Sequence, residues 1–161
     1  MGVMTPDDGR LAQTDLRAWA ALRLMTRQVD AQLARRLAAT SPLSMQDYDV
    51  LSSVAPSPGR RMLMKDLMLH LQWSYSRLSH HVSRMEAREL VRRAPSDEGS
   101  GVEVLATDHG FATIRAATGD HLRAVREYFA EALQQGDAGL IESLSARVLE
   151  RLPGPTPTRG W

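Results

Sequence analysis

Apolar residues recur at steps of three and four over long stretches of this 161-residue chain, and that spacing is typical of amphipathic helices. The first stripe predicts a helix over residues 15–39. We expect it to end before Pro42, because proline disfavours helical geometry at the residue that precedes it. The stripe consists of Ala18, Leu22, Met25, Val29, Leu33 and Leu37.

Three shorter helices are predicted next. Ser44 and Asp47 have the spacing of a capping box, in which each side chain bonds the other residue's backbone N–H at a helix start. The turn residues 56–59 end that helix. A third helix is predicted over 64–71. A fourth, over 74–89, should turn three apolar side chains inward, namely Leu78, Val82 and Met85.

The pattern then changes from helical to extended. Residues 90–94 and 102–106 are short and β-compatible, and the segment 95–101 between them is rich in turn residues. Together they predict a β-hairpin directly after a helix.

Two further helices are predicted. Thr107 should cap a long helix over 108–135, Gly136 should end it, and Asp137 should cap a last helix. The expected inner positions of the long helix are Ile114, Leu122, Val125, Phe129 and Leu133. The apolar stripe of the last helix consists of Leu140, Leu144, Val148 and Leu152.

This order of elements predicts a mainly α fold with a small β-hairpin wing, a winged helix-turn-helix. Residues 41–107 would form that lobe, and the terminal helices, 14–40 and 108–152, a second, helical lobe. Residues 1–13 and 153–161 are expected to be flexible tails.

The net charge of +1 hides an uneven distribution. Residues 60–96 carry eight Lys or Arg against three Asp or Glu, whereas residues 97–151 carry five Arg against ten acids. A basic block of this kind is what attraction to phosphate would need. The charge alone fits an ordinary solvated face equally well. The arrangement of residues within the block has to distinguish that interpretation from phosphate binding.

The fourth helix favours contact with DNA. No acid lies from Arg77 to Arg84, and the spacing gives this helix an outward cationic side that continues to Arg88. Such a helix fits the major groove of double-stranded DNA while a hairpin lies against the neighbouring minor groove or backbone. The predicted DNA contacts are Ser74, Ser76, Arg77, His80, His81 and Arg84 in the helix and Arg92, Arg93 and Ser100 in the wing.

Residues 71–93 (LQWSYSRLSHHVSRMEARELVRR) resemble the recognition helix and wing entry of MarR-type (multiple antibiotic resistance) regulators. Residues 44–51 (SMQDYDVL) are similar to that family's second helix, and residues 104–110 (VLATDHG) to its wing exit. The likeness covers about residues 15–151. It implies a homodimer formed by the terminal helices, which makes the helical lobe a dimerisation lobe, a palindromic operator, and commonly repression relieved by a small, often aromatic ligand.

The chain departs from this family at the wing. An aspartate-x-arginine pair, whose arginine enters the minor groove, is usual there, and its places are taken by Glu98 and Ser100. A serine cannot span the groove or supply a cation, so more affinity is expected to come from the fourth helix and from Arg92 or Arg93. Glu89 replaces the glycine usual after the recognition helix, which disfavours a left-handed backbone there.

The resemblance also implies a ligand pocket between the two lobes, among the first, second and fifth helices. An aromatic floor with a cation would suit a carboxylate or phenolate. For any single residue, ordinary packing or solvation is the simpler interpretation. The candidates are Trp19, Arg23, Met45, Tyr48 and His70.

Other classes of protein find little support. The absence of cysteine excludes disulfides, thiolate zinc sites and cysteine nucleophiles, and adjacent histidines such as His80 and His81 rarely chelate together, so neither a metal nor another cofactor is expected. No nucleophile elbow, P-loop or dinucleotide fingerprint is present, so no enzyme is predicted. No apolar run approaches the ~20 residues of a membrane span, and a signal peptide is not apparent, so a cytoplasmic protein without membrane contact is expected.

Two functional interpretations follow. The first is a ligand-released repressor that binds DNA. The second is a winged-helix protein-interaction module with weakened or lost DNA binding, for which the missing wing arginine and a Leu69 expected to be exposed are the best arguments.

Overall fold

The structure of the chain, a computed structural model, describes residues 11–96 and 99–153. The predicted flexible tails lie almost wholly outside these residues, as does Glu98 of the wing. Its helices are α1 (Gln13–Thr40), α2 (Met45–Val54), α3 (Met64–Leu71), α4 (Tyr75–Ala87), α5 (Asp108–Tyr128) and α6 (Asp137–Leu149), and its strands are β1 (Arg61–Leu63), β2 (Val91–Pro95) and β3 (Val102–Ala106). The predicted class, mainly α with a β-hairpin wing, is confirmed.

Local sequence signals place the starts of α2 and α5 as predicted. The Ser44 hydroxyl accepts from the Asp47 N–H at 3.1 Å, and the Asp47 carboxylate accepts from the Ser44 N–H at 2.9 Å, which completes the capping box. The Thr107 hydroxyl accepts from the Gly110 N–H at 2.9 Å. Each bond satisfies a backbone donor that a helix start leaves without an intrahelical partner.

The sheet is antiparallel with strand order β1-β3-β2. β2 and β3 form the predicted hairpin, with Val91 paired to Ala106. β1, which the sequence did not predict, pairs with the other edge of β3, with Arg61 opposite Leu105. A strand of three residues is too short to show a recognisable alternation of apolar and polar positions in the sequence. The wing is thereby tied to the segment that precedes α3.

The hydrophobic core lies on the inner side of α4. Residues of α2, α3 and α4 are fully buried there, and the sheet closes one side of the cluster while the end of α1 and the middle of α5 close another. Its largest members include Leu51, Leu67, Leu78, Met85 and Val104.

Three expectations about α5 and α6 are wrong. α5 ends at Tyr128 rather than at 135, because the chain enters a short 3₁₀ turn at Ala130–Ala132. Leu122 is 59% exposed rather than inward, since His121, one position earlier, occupies the inner side next to Tyr48. Asp137 is the first residue of α6 rather than its cap, and its carboxylate accepts from the Gln134 N–H at 2.8 Å.

The terminal helices leave much of their apolar surface uncovered. In α1 only Leu37 of the predicted stripe is buried, and α6 contains no buried residue. No described helix has the length and apolar character that a membrane crossing requires. The exposed apolar positions of these helices include Leu16, Trp19, Leu22 and Met25 of α1 and Leu140, Leu144 and Val148 of α6.

Candidate nucleic-acid interface

α4 begins at a turn that exposes its first residues. Gln72 adopts a left-handed backbone with φ 53°, and Ser74 then caps α4 by accepting a hydrogen bond from the Arg77 N–H at 3.3 Å. Ser74 and Ser76 are both exposed. Because the first N–H groups of a helix lack intrahelical partners and carry the positive end of its dipole, this end of α4 is suited to an anion.

The outermost side of α4 carries small side chains and one imidazole. Leu78, Val82 and Met85 mark its inner side, and at about 100° per residue the opposite positions form what we term the α4 ridge. Small side chains let a helix approach a base-pair edge closely, and an imidazole in their midst can make one hydrogen bond there. The α4 ridge consists of Ser76, His80, Ser83 and Ala87, all exposed.

Two arginines flank the α4 ridge on one side. The Arg77 guanidinium lies over the Trp73 ring, 4.1 Å from its centroid, and such a cation–π contact restrains the cation. Arg84 is exposed, and its Nη2 donates to His81 Nδ1 at 2.8 Å. The predicted contacts Arg77, His80 and Arg84 therefore share one exposed surface. Each guanidinium group also contacts a neighbouring ring, Arg77 that of Trp73 and Arg84 that of His81.

His81 does not belong to that surface, contrary to the sequence-based expectation. Its ring is buried between α4 and α2, with Nε2 3.1 Å from Asp47 Oδ1 and the Trp73 ring edge-on at 5.4 Å. Nδ1 faces Arg84, which can only donate, so the neutral ring carries its hydrogen on Nε2 towards Asp47. Burial lowers the pKa of His81, and attraction to Asp47 offsets this only in part. His81 supports the interface from within.

Asp47 connects α2 to α4. Burial acts to raise the pKa of its carboxyl, but hydrogen bonds from Arg88 and Ser44 outweigh that effect and hold the pKa below its usual range. Arg88 donates to Asp47 at 2.8 Å and to the Pro42 carbonyl at 2.8 Å. Arg88, expected on the outward cationic side, is therefore occupied by contacts within the chain.

The wing offers one exposed cation near its base. Arg92 is exposed on β2, and Ser100 is exposed at the far turn. Arg93 instead lies against α4, where its guanidinium bonds Ser79, Ser83 and Glu86. The two neighbouring arginines thus point to different sides of the strand, as successive strand residues do.

The residues proposed for a ligand pocket do not meet within one chain. Trp19 is 54% exposed and contacts Arg23 alone among the predicted set, with the guanidinium 5.5 Å from its ring centroid. Tyr48 packs on His121 with ring centroids 4.2 Å apart. At about 1.5 Å per residue, Trp19 lies roughly 27 Å along α1 from Leu37, which shares a core with Tyr48.

Met45 packs at the edge of the core and His70 is partly exposed. Two cavities of about 350 and 360 Å³ contain none of the five predicted ligand residues. The first is lined by Thr40, Pro42 and Ala116 among others, and the second by Met25, Tyr128 and Ile141 among others. Within the described residues no group of three or more His, Asp or Glu is placed to hold a metal ion.

Two sequence-based expectations about single residues, Glu89 and Leu69, have different outcomes. Glu89 adopts a left-handed backbone with φ 58° although it is not glycine, so the turn keeps its shape despite the strain expected of a side chain there. Leu69 is exposed on α3, as predicted.

No protein-family model and no curated protein matches the sequence. Solved structures do match. The chain is 33% identical to AbsC, a MarR family transcriptional regulator from Streptomyces coelicolor, with a TM-score of 0.84 over 91% of this chain and 99% of that one. It is 25% identical to Sco3205, a MarR family transcriptional regulator of the same organism solved in complex with DNA, with a TM-score of 0.83 over 92% and 98%.

A more distant structure shares the fold. A mutant MarR from E. coli complexed with operator DNA is 18% identical, with a TM-score of 0.73 over 87% of this chain and 99% of that one.

Proposed function

Because the chain belongs to the MarR family of transcriptional regulators, we propose that it is a homodimeric regulator that binds double-stranded DNA sequence-specifically through α4. The three structural relatives named above are transcriptional regulators rather than enzymes, and two of these three are DNA complexes. The observation that supports the proposal most is the α4 ridge: an exposed line of small side chains around His80, flanked by Arg77 and Arg84.

Each part of this surface has a proposed role. Arg77 reads a guanine edge in bidentate fashion, His80 reads a base from the ridge itself, and Arg84 neutralises a phosphate. Ser74 and Ser76, at the start of α4, donate hydrogen bonds from their hydroxyls to phosphates of the DNA backbone. Arg92 adds a phosphate contact from the wing, whose Ser100 supplies no cation for the minor groove.

The homodimer is supported by the uncovered helices. α6 buries none of its residues within the chain, and Leu140 is 70% exposed. Helices with an exposed apolar stripe of this kind gain stability by packing on another surface. A twofold partner would place two α4 helices in successive turns of a palindromic operator, about 34–36 Å apart.

Regulation is proposed to be repression released by a small ligand, commonly aromatic. A ligand that binds better to a dimer with mismatched helix spacing lowers the population that fits the operator. Trp19 and Tyr48 lie far apart within one chain, so a pocket that unites them requires the second subunit. The proposed place of action is the cytoplasm.

Selection of duplexes from a random pool, followed by gel shifts at two salt concentrations, tests the proposal. We expect a palindromic consensus whose binding weakens with salt. Arg77→Ala should cost about 1–3 kcal/mol at the selected site and relax specificity at one base pair. Equal, weak binding to every duplex would contradict sequence-specific regulation.

The second candidate, a winged-helix protein-interaction module, is favoured by one observation: Leu69 is exposed on α3. Failure of the selection together with retention of a folded dimer would support this module over the regulator.

A further inference from the structure

Arg93 makes an unusually complete set of contacts with α4. Its backbone N–H donates to Glu86 Oε1 at 2.7 Å, and its Nη2 donates to the Ser79 carbonyl at 2.6 Å and to the Ser83 hydroxyl at 3.1 Å. Its Nη1 forms an ion pair with Glu86 Oε2. Main chain and side chain of one wing residue are thus both fixed to the helix that carries the α4 ridge.

The Arg93 guanidinium cannot keep these contacts with α4 and also bind a DNA phosphate. The planar guanidinium offers five donors in a rigid fork, and here both terminal nitrogens face α4. The side chain is 27% exposed, whereas its neighbour Arg92 is exposed on the other side of β2. Removing Arg93 from α4 to reach a phosphate would leave Glu86 without its ion-pair partner, which is costly for a partly buried charge.

We infer that Arg93 and Glu86 form a clamp that fixes the angle between α4 and the wing, so that they control DNA affinity and specificity as positioning residues without contacting DNA. The inference rests on the proposed function and assigns Arg93 a different role from the DNA contact that the sequence suggested. A helix and wing held in register before binding lose less conformational freedom on binding than a mobile pair.

The charge of Glu86 allows a test in which the clamp and simple charge repulsion predict opposite changes in DNA affinity. A carboxylate on a DNA-binding helix repels phosphate, so its removal should strengthen binding if it does nothing else. If Glu86 holds the wing, Glu86→Gln should weaken binding to the selected duplex instead, by about tenfold because the wing must then be ordered on binding. Glu89→Gln removes the same charge from an exposed position just after α4 and serves as the matched control, which should bind as tightly as wild type or tighter.

Arginine variants separate positioning from phosphate contact. Arg93→Lys keeps the charge but loses the fork, so the clamp predicts weaker specific binding, unchanged binding to a scrambled duplex, and an unchanged slope of log affinity against log salt. Arg92→Met should lower affinity for both duplexes and reduce the slope by about one. Arg93→Lys with wild-type affinity, or Glu86→Gln with tighter binding, would overturn the clamp.

Hydrogen exchange without DNA provides a second, independent readout. Loss of the clamp should speed exchange of the amides in 91–106 in Glu86→Gln and Arg93→Lys, while the amides of α2 keep wild-type protection. If the wild-type protein selects no sequence, the proposed function fails and the exchange data alone decide the clamp. Unchanged wing exchange in both variants would overturn it.

Discussion

Gly110 lies where the start of α5 passes the end of α4. A Cβ built at this position would be 1.9 Å from the Leu90 carbonyl oxygen, and the nearby Thr107 hydroxyl also bonds that carbonyl at 3.2 Å. The obstacle is backbone, which cannot rotate away as a side chain would. Glycine is therefore required here for a close approach rather than for an unusual φ.

Gly110→Ala should destabilise the protein by about 1–3 kcal/mol or more, because the added methyl forces the backbones of α5 and the α4–β2 turn apart. Urea unfolding measures the change. Gly119→Ala is the matched control in the same helix, since its Cβ would meet nothing closer than Arg123 Nη1 at 3.7 Å, and it should stabilise by about 0.5–1 kcal/mol. Equal effects of the two alanines would show that the close approach does not matter.

His81 should make stability depend on pH. Burial lowers its pKa below the ordinary value of 6.5, so the unfolded chain binds the proton more readily than the folded one. The free energy of unfolding therefore falls as the pH drops through 6.5 towards the folded-state pKa, and it is fully present above that range. Protonation would also remove the acceptor that Arg84 uses and place a third cation beside Arg84 and Arg88.

Urea unfolding at pH 7.5 and pH 5.5 measures this effect. His81→Gln should shrink the difference between the two free energies of unfolding, because the titrating group is gone. His80→Gln, at the exposed neighbouring position, controls for replacement of a histidine in α4. His121, whose pKa is also lowered by burial, should account for part of the remaining dependence. A wild-type pH dependence in His81→Gln would rule out a contribution from His81.

A polar cluster around Asp120 joins α1 to α5. Hydrogen bonds from Arg36 and Thr40 lower the pKa of Asp120 to about 2. Arg36 Nε lies 3.1 Å from its carboxylate and the Thr40 hydroxyl 2.9 Å away. One carboxylate thus bonds the last turns of α1 to the middle of α5.

Asp120→Asn should lower the free energy of unfolding at pH 7 and weaken its loss below pH 4. The folded-state pKa of Asp120 is depressed, so its contribution is present above the unfolded value and disappears as the pH falls towards about 2. Acid titration of stability for both proteins provides the measurement. Arg123→Gln removes an outer partner of the same carboxylate and should have a smaller effect. Identical acid profiles would contradict the assignment.

Elements were predictable where the signal was local. The capping box at Ser44, the cap at Thr107 and the bounds of α3 and β3 follow from neighbouring residues. β1 was missed because its place depends on pairing with β3, whose residues lie far along the chain, with Arg61 paired to Leu105 and Leu63 to Glu103. The end of α5 was missed because apolar spacing continues to Leu133 although the helix does not.

The candidate interface was predictable to the extent that helical spacing determines it. Spacing gives the α4 ridge and Arg77, but it does not give the contact of Arg77 with Trp73, because Trp73 precedes the Ser74 cap and lies outside α4. His81 looked like a surface residue since its partner Asp47 lies far away in sequence. The same reason hid the role of Arg93, whose contacts with α4 depend on how the hairpin folds back.

The division of the chain into a winged-helix lobe and a helical lobe is a prediction, and burial varies along the chain in the way that this division requires. Residues of α2, α3 and α4 form the core, whereas α6 and the first half of α1 bury almost nothing. Leu140, Leu144 and Val148 recur at steps of four along one side of α6. No residue of that stripe is buried by the described residues of the chain.

The stripe of α6 is the place to test the proposed dimer. Leu144→Glu should leave the subunit folded, because Leu144 is already 51% exposed within it, but it would place a carboxylate in an apolar interface at a cost on the order of 3 kcal/mol or more, about a hundredfold in the dimer dissociation constant. Analytical ultracentrifugation measures that constant. Leu69→Glu makes the same change at an exposed leucine of α3 and should leave the dimer intact. Because the monomer offers only one α4 helix, Leu144→Glu should also lose cooperative binding to a palindrome while it retains weak binding to a half-site. A Leu144→Glu protein that remains a dimer would show that α6 does not form the interface and that the helical lobe serves another purpose.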